Sequence, residues 1–88
     1  FDGKVISRTI TFVDASIKTL GVMLPGEYEF NTEKKELMEI YTGELAVHIN
    51  NSGIWEKIEG GMSFSVPAKS KFNIKIYKIT NYCCSYFE

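Results

Sequence analysis

Apolar and polar residues alternate with a period of two along most of the chain. Over residues 3–13, Val5, Ser7, Thr9 and Thr11 fall on one side and Ile6, Arg8, Ile10 and Phe12 on the other. The β-branched content favours a strand there. Residues 14–16 read as a turn. Residues 17–24 read as a second strand with Gly21 inside it, a sign of a bulge or of close backbone approach. Pro25-Gly26 is a turn signal, and residues 27–30 make a short strand. Residues 31–36 offer only an incomplete capping box, so a turn is expected rather than a helix. Residues 37–42 form a strand, Gly43-Glu44 a tight hairpin turn, and residues 45–49 its partner. Residues 50–53 form a loop, 55–58 a strand, 59–61 a turn, 62–66 a strand and 67–70 a turn. Over residues 71–77, Phe72, Ile74 and Ile76 share one face; over residues 82–87, Tyr82, Cys84 and Tyr86 do. Nine short strands, with turn signals between them and no helix, predict an all-β sandwich or barrel.

The strand at 27–30 carries the first hint of chemistry. Glu27 and Glu29 point one way, Tyr28 and Phe30 the other. Either the glutamate face is solvated or it lines a polar cavity. At 88 residues the chain is read as one domain, 1–88, near the small end of what buries a core unaided. Ten basic and eleven acidic residues are interspersed, for a net charge of −1. No basic stripe recommends nucleic acid, and no acidic tail recommends disorder. A charge so near zero also fits a subunit that hides surface in an oligomer. No apolar run approaches the roughly 18 residues needed to span a bilayer, and no signal-peptide pattern is present, so no membrane partner is expected. Cys83 and Cys84 are adjacent and point to opposite faces of a strand, where a disulfide between neighbours would be strained. Two reduced thiols suit a cytoplasmic protein. His48, the lone histidine, sits in an apolar strand and reads as structural.

Two spacings add to this. Gly21, Glu27, Glu29, Glu36 and Gly43 resemble the first cupin motif, with Glu27 and Glu29 where histidines are usual and Glu36 at the glutamate. Gly61, Pro67 and Phe72 resemble the second, with Phe72 at the usual histidine position. The stretches KTLGVMLPGEYEF, MEIYTGEL, GMSFSVPAKSKF and YCCSY, with the lone Trp55, are similar to the pyrimidine/purine nucleoside phosphorylase family. These are small bacterial cupins, and the resemblance runs from Gly3 to Tyr86. It implies a single-domain cupin, a small jelly-roll-like β-barrel or double-stranded β-helix. It also implies phosphorolysis of purine and pyrimidine nucleosides to free base and ribose or deoxyribose 1-phosphate. Nucleosides and inorganic phosphate are then the partners, with no cofactor, and the chain acts as a homodimer. Trp55 is expected to plug the barrel or a dimer interface.

The resemblance also implies a site. Glu27 and Glu36 would be catalytic, with Glu29 beside them binding substrate, all three projecting into the barrel. Carboxylates there stabilise positive charge on the sugar and accept hydrogen bonds from its hydroxyls. Tyr28, Tyr41, Phe64, Phe72 and Tyr86 are the aromatics available to a base, and Met38 could pack against the ribose. Phe64, Phe72 and Met38 read more naturally as barrel core. Ile17 falls where relatives commonly carry arginine, which leaves Lys18, Arg8 and Lys69 as the cations for phosphate. No metal is expected, because the imidazoles usual at cupin sites are missing; a hard ion on the three glutamates is the remaining option. The alternative function is a non-catalytic module holding a sugar, nucleotide or small acid.

Overall fold

The structure, a computed structural model, describes residues 3–87. Among them are seven strands and no helix: β1 (Val5–Thr11), β2 (Ile17–Met23), β3 (Gly26–Asn31), β4 (Lys35–Ile49), β5 (Glu56–Glu59), β6 (Ser63–Val66) and β7 (Lys71–Phe87). Two pairs of expected strands have merged. Residues 37–42 and 45–49 are one bent strand, β4, and the last two expected strands are one bent strand, β7. These two long strands run antiparallel to each other with register shifts between Ile40 and Leu45. The first half of β4 carries β6 and the second half carries β5. The first half of β7 carries β3 and the second half carries β2, which in turn pairs with β1. All pairings are antiparallel. One continuous sheet therefore folds over on itself along the bends of β4 and β7.

Gly43 is the pivot, and it is a bulge inside β4 instead of the expected hairpin turn. Its φ of 120° lies where side chains are strained, and a Cβ there would sit 2.7 Å from Thr80 Cα. Only glycine lets the bent strand pass this close to its neighbour.

The core fills the fold's interior with Met23, Tyr28, Met38, Ile40, Leu45, Val47, Phe72, Ile74, Ile76, Tyr82 and Cys84. Strand alternation puts the expected faces inward for β7: Phe72, Ile74, Ile76, Tyr82 and Cys84 are all buried. The turn between β3 and β4 is pinned by Thr32, itself only 3% exposed. Its backbone N–H donates to Ser70 O at 2.8 Å. Its hydroxyl donates to Pro67 O at 2.7 Å and accepts from Ser70 N–H at 2.9 Å. Trp55 lies outside the barrel, correcting its expected place as a barrel plug: it stacks on His48 at 5.0 Å with Lys75 Nζ 4.3 Å from its ring. His48 Nε2 accepts a 2.8 Å bond from the Gly53 N–H, a structural role for that ring.

Candidate functional site

Two joined cavities open at one end of the fold. The inner one, about 200 Å³, is walled by Met23, Phe30, Met38, Phe72, Tyr82 and Cys84. The outer one, a vestibule of about 650 Å³, is walled by the β1–β2 turn, by Thr9 and Ile17, and by Glu33 and Lys34 of the β3–β4 turn. Thr19, Asn31, Glu36 and Tyr86 line both and mark the junction.

Register explains why these side chains meet. Glu36 pairs with Tyr86, Met38 with Cys84, and Ile40 with Tyr82 across β4 and β7. Thr19 pairs with Cys84, and Gly21 with Tyr82, across β2 and β7. All of these positions share the inner face. Diagonal neighbours on such a face are within reach of long side chains. The Cys84 thiol donates to Glu36 Oε1 at 3.3 Å, and the Thr19 and Tyr86 hydroxyls share a 2.8 Å hydrogen bond. Gly21 leaves room for the Tyr82 ring, since a Cβ there would lie 2.5 Å from it.

Electrostatically the junction is a half-desolvated carboxylate among neutral donors. Burial raises the Glu36 pKa, against the opposing effect of the Cys84 hydrogen bond. Burial first, then the Glu36 charge, pushes the Cys84 thiol up to about 12, so it keeps its proton and donates. Tyr86 is likewise pushed up to about 12, chiefly by burial. One ionisable acid at the mouth of an apolar chamber can stabilise a nearby cation and accept hydroxyl hydrogen bonds.

Of the residues expected from sequence, Glu36, Met38, Phe72 and Tyr86 come together here. Phe72 is both core and cavity wall. Others do not join them. Glu27 and Glu29 do not project into the barrel; their side chains are 76% and 53% exposed. They sit on the outer face of β3, 3.8 Å from Lys75 and Lys71 respectively, and Glu29 also accepts from Asn73 at 3.5 Å. The solvated alternative is the correct one for that face. Tyr28 is buried but turned to Leu24 O, to which its hydroxyl donates at 2.6 Å. Phe64 packs behind Phe72, ring centroids 6.2 Å apart. Tyr41 is exposed on the outer side of β4, beside Arg8 and Leu20.

None of the three expected phosphate cations lines either cavity. Thr9 and Thr19 face inward, so Arg8 and Lys18 project from the opposite side of the same sheet. Lys69 lies in the exposed β6–β7 turn and lines neither cavity. Ile17, which the family resemblance sets where an arginine is common, does line the vestibule. Thr19, Phe30, Tyr82 and Cys84 line the inner cavity without being among the expected residues. Their signals were present: Phe30 shares a face with Tyr28, and Tyr82 and Cys84 share one with Tyr86.

A cupin metal would need convergent ligands, and the carboxylates do not supply them. Glu27 and Glu29 lie on the outer face, away from Glu36, and among the described residues no group of three His, Cys, Asp or Glu could hold an ion. The donor set does not fit a cupin metal.

This folded sheet around a lined interior is the cupin fold. An RmlC-like cupin from Shewanella frigidimarina superposes with a TM-score of 0.79 over 96% of this chain and 76% of that one, at 15% identity, which shows the fold alone. A protein of unknown function from Acinetobacter sp. ADP1 matches more fully, with a TM-score of 0.95 and 40% identity over 99% of this chain and 85% of that one. A pyrimidine/purine nucleoside phosphorylase from Sulfurovum sp. NBC37-1 is 60% identical over 86 residues, covering 98% of this chain and 84% of its own length. The sequence profile of the family described as pyrimidine/purine nucleoside phosphorylase matches residues 1–86. The chain belongs to that family.

Proposed function

We propose that this chain phosphorolyses purine and pyrimidine nucleosides, and that Glu36 is the group closest to the chemistry. The observation carrying this reading is the pair of joined cavities with one half-buried carboxylate at their junction, in a chain of this family. The inner cavity, about 200 Å³, is below the roughly 300–1,000 Å³ of a pocket that encloses a drug-sized ligand. It suits a base alone. Its walls are aromatic rings, thioethers and a thiol, which stack on many bases and read few. That matches a broad base range. The sugar then lies at the junction, against Glu36, Thr19 and Tyr86.

In the reaction, an oxygen of the phosphate dianion forms a bond to C1′ as the C1′–N bond breaks. The bonding electron pair leaves with the base, and the proton carried by the phosphate ends on the base. Products are free base and ribose or deoxyribose 1-phosphate, a pentosyl transfer that needs no cofactor beyond the phosphate co-substrate. Positive charge builds on the sugar ring midway, and the Glu36 carboxylate is placed to stabilise it.

The test is release of uracil from uridine by the purified chain, with and without phosphate and EDTA. Phosphate-dependent release that survives EDTA is expected. No release from uridine, adenosine or guanosine would overturn the reading and leave the cavity to a binding module.

The same proposal includes a homodimer and a cytoplasmic setting. The thiols Cys83 and Cys84 are free and buried, in keeping with a reducing compartment; among the described residues no helix is long and apolar enough to cross a membrane. The outer face of the β1–β2–β7–β4 sheet carries Ile6, Leu20, Tyr41 and Phe87, all exposed. A second copy related by a two-fold axis would cover this face with itself. Light scattering is expected to give twice the chain mass, and Leu20→Glu the mass of a single chain. A wild-type monomer at working concentration would refute the dimer.

A further inference from the structure

We propose that the phosphate co-substrate binds in the vestibule against Lys34, with the base in the inner cavity and the sugar between them at Glu36. This rests on the phosphorolysis reading and adds the location of the second substrate.

The argument starts from the displacement. A nucleophile attacks C1′ from the side opposite the departing base. With the base held among Phe30, Phe72 and Tyr82, the far side of the sugar is the vestibule. Phosphate is a dianion near neutral pH and wants a cation or N–H donors. Among the described residues lining either cavity, Lys34 is the one lysine or arginine. Arg8 and Lys18 would have to reach through the sheet.

Lys34 is also carried on a fixed support. It stands two residues past Thr32, whose three hydrogen bonds of 2.7–2.9 Å tie the turn to Pro67 and Ser70. The facing wall is fixed as well. In the β1–β2 turn, Phe12 N–H donates to Ser16 O at 2.8 Å, and Asp14 Oδ1 accepts from Ser16 N–H at 2.9 Å and from its hydroxyl at 2.6 Å. Two anchored turns thus hold the vestibule open between them. Asp14, Glu33 and Glu36 on these walls are acidic and repel phosphate. Among the described residues, Lys34 is the one basic side chain on these walls, and the hydroxyls of Thr9 and Thr19 line the same cavity as neutral donors. The acidic rim also favours departure of the sugar phosphate once the base has left.

The experiment varies phosphate and uridine separately in steady-state assays of wild type, Lys34→Ala and Lys34→Arg. Lys34→Ala is expected to raise the KM for phosphate by about tenfold to a hundredfold, the cost of losing one hydrogen bond to a charged group. The KM for uridine is expected to hold, and Lys34→Arg to recover most of the loss. Lys4→Ala, the same charge change at the far end of β1, is expected to leave both constants alone. An unchanged phosphate KM in Lys34→Ala, or an equal rise in both constants, overturns the assignment. Should the wild-type chain release no base at all, the activity reading fails separately, and thermal stabilisation by inorganic phosphate over matched chloride decides the subsite. Stabilisation lost in Lys34→Ala supports it; stabilisation equal in both chains, or absent in both, overturns it.

Discussion

Glu36→Gln lowers turnover of uridine by about tenfold or more while leaving the fold intact, and it does so in kcat more than in KM. Glutamine keeps the size of the side chain and an oxygen to accept the Cys84 thiol, which now sits 3.3 Å from Glu36 Oε1. Only the charge is removed. A neutral amide hydrogen-bonds to ribose nearly as well in the ground state, but it cannot stabilise the cationic sugar of the transition state. Two pH effects go with this. Burial raises the Glu36 pKa above its ordinary 4.5, so the Glu36 contribution to the acid limb of the wild-type rate profile is shifted upward and is lost in the variant, where only protonation of the phosphate remains. The stability effect runs the opposite way from that of a salt-bridged carboxylate. Because the folded pKa is raised, the folded state holds the Glu36 proton more tightly than the unfolded chain does. Ionisation therefore penalises the fold increasingly as pH rises from the unfolded pKa through the folded one, and the penalty is absent below both. Glu36→Gln should match or exceed wild type in urea midpoint at pH 7, with the gap closing as pH falls toward 4. Unchanged kinetics would remove Glu36 from the site. A variant less stable than wild type at pH 7 would show that its charge is not a burden on the fold.

The fold was legible in the sequence because alternation is a local signal. Phe72, Ile74 and Ile76 announce a buried face in β7 without any tertiary information, and so do Tyr82 and Cys84. The merging of strands was not legible. Gly43-Glu44 has the composition of a hairpin turn, and only the approach of Thr80 shows that the glycine serves a bulge in a strand that continues. The site failed in an instructive way. The motif spacing put Glu27 and Glu29 inside, yet a strand has only two faces, and Tyr28 and Phe30 compete for the inner one. Burying two carboxylates without partners costs far more than leaving them beside Lys75 and Lys71. A one-residue slip in motif register flips every side chain, so spacing without hydrophobic alternation chose the wrong face. Glu36 survived because its neighbours Met38 and Ile40 mark the same face as core. The expected phosphate cations miss the cavities for a different reason: Arg8 and Lys18 adjoin Thr9 and Thr19 in sequence, but strand parity puts them on the other side of the sheet. Lys34 carries no periodic signal at all, since it lies in a turn.

Phe72→Ala is expected to cost about 3–5 kcal/mol of folding stability, the largest single loss among these predictions. Phe72 is 2% exposed, stacks on Phe30 with centroids 5.3 Å apart, and meets Phe64 edge-on at 6.2 Å. Removing the ring takes away contacts on two sides and enlarges a cavity of about 200 Å³ that already exists. The neighbours cannot close the gap, because Phe72 pairs across β7 with both Phe30 of β3 and Ile49 of β4, and those strands hold the backbone in place. Limited collapse puts the cost toward the upper part of that range. A small domain has only about 5–15 kcal/mol in total, so the variant populates the unfolded state readily on mild heating. Phe72→Leu fills much of the space and separates packing from function. It should fold well while weakening base stacking, seen as a raised KM for uridine and adenosine alike with the phosphate KM unchanged. A midpoint shift in urea worth less than about 1 kcal/mol for Phe72→Ala would mean the ring is not a packed wall. If Phe72→Leu instead discriminated between the two nucleosides, the inner chamber would be reading base identity, and the broad range would have to come from elsewhere in the site.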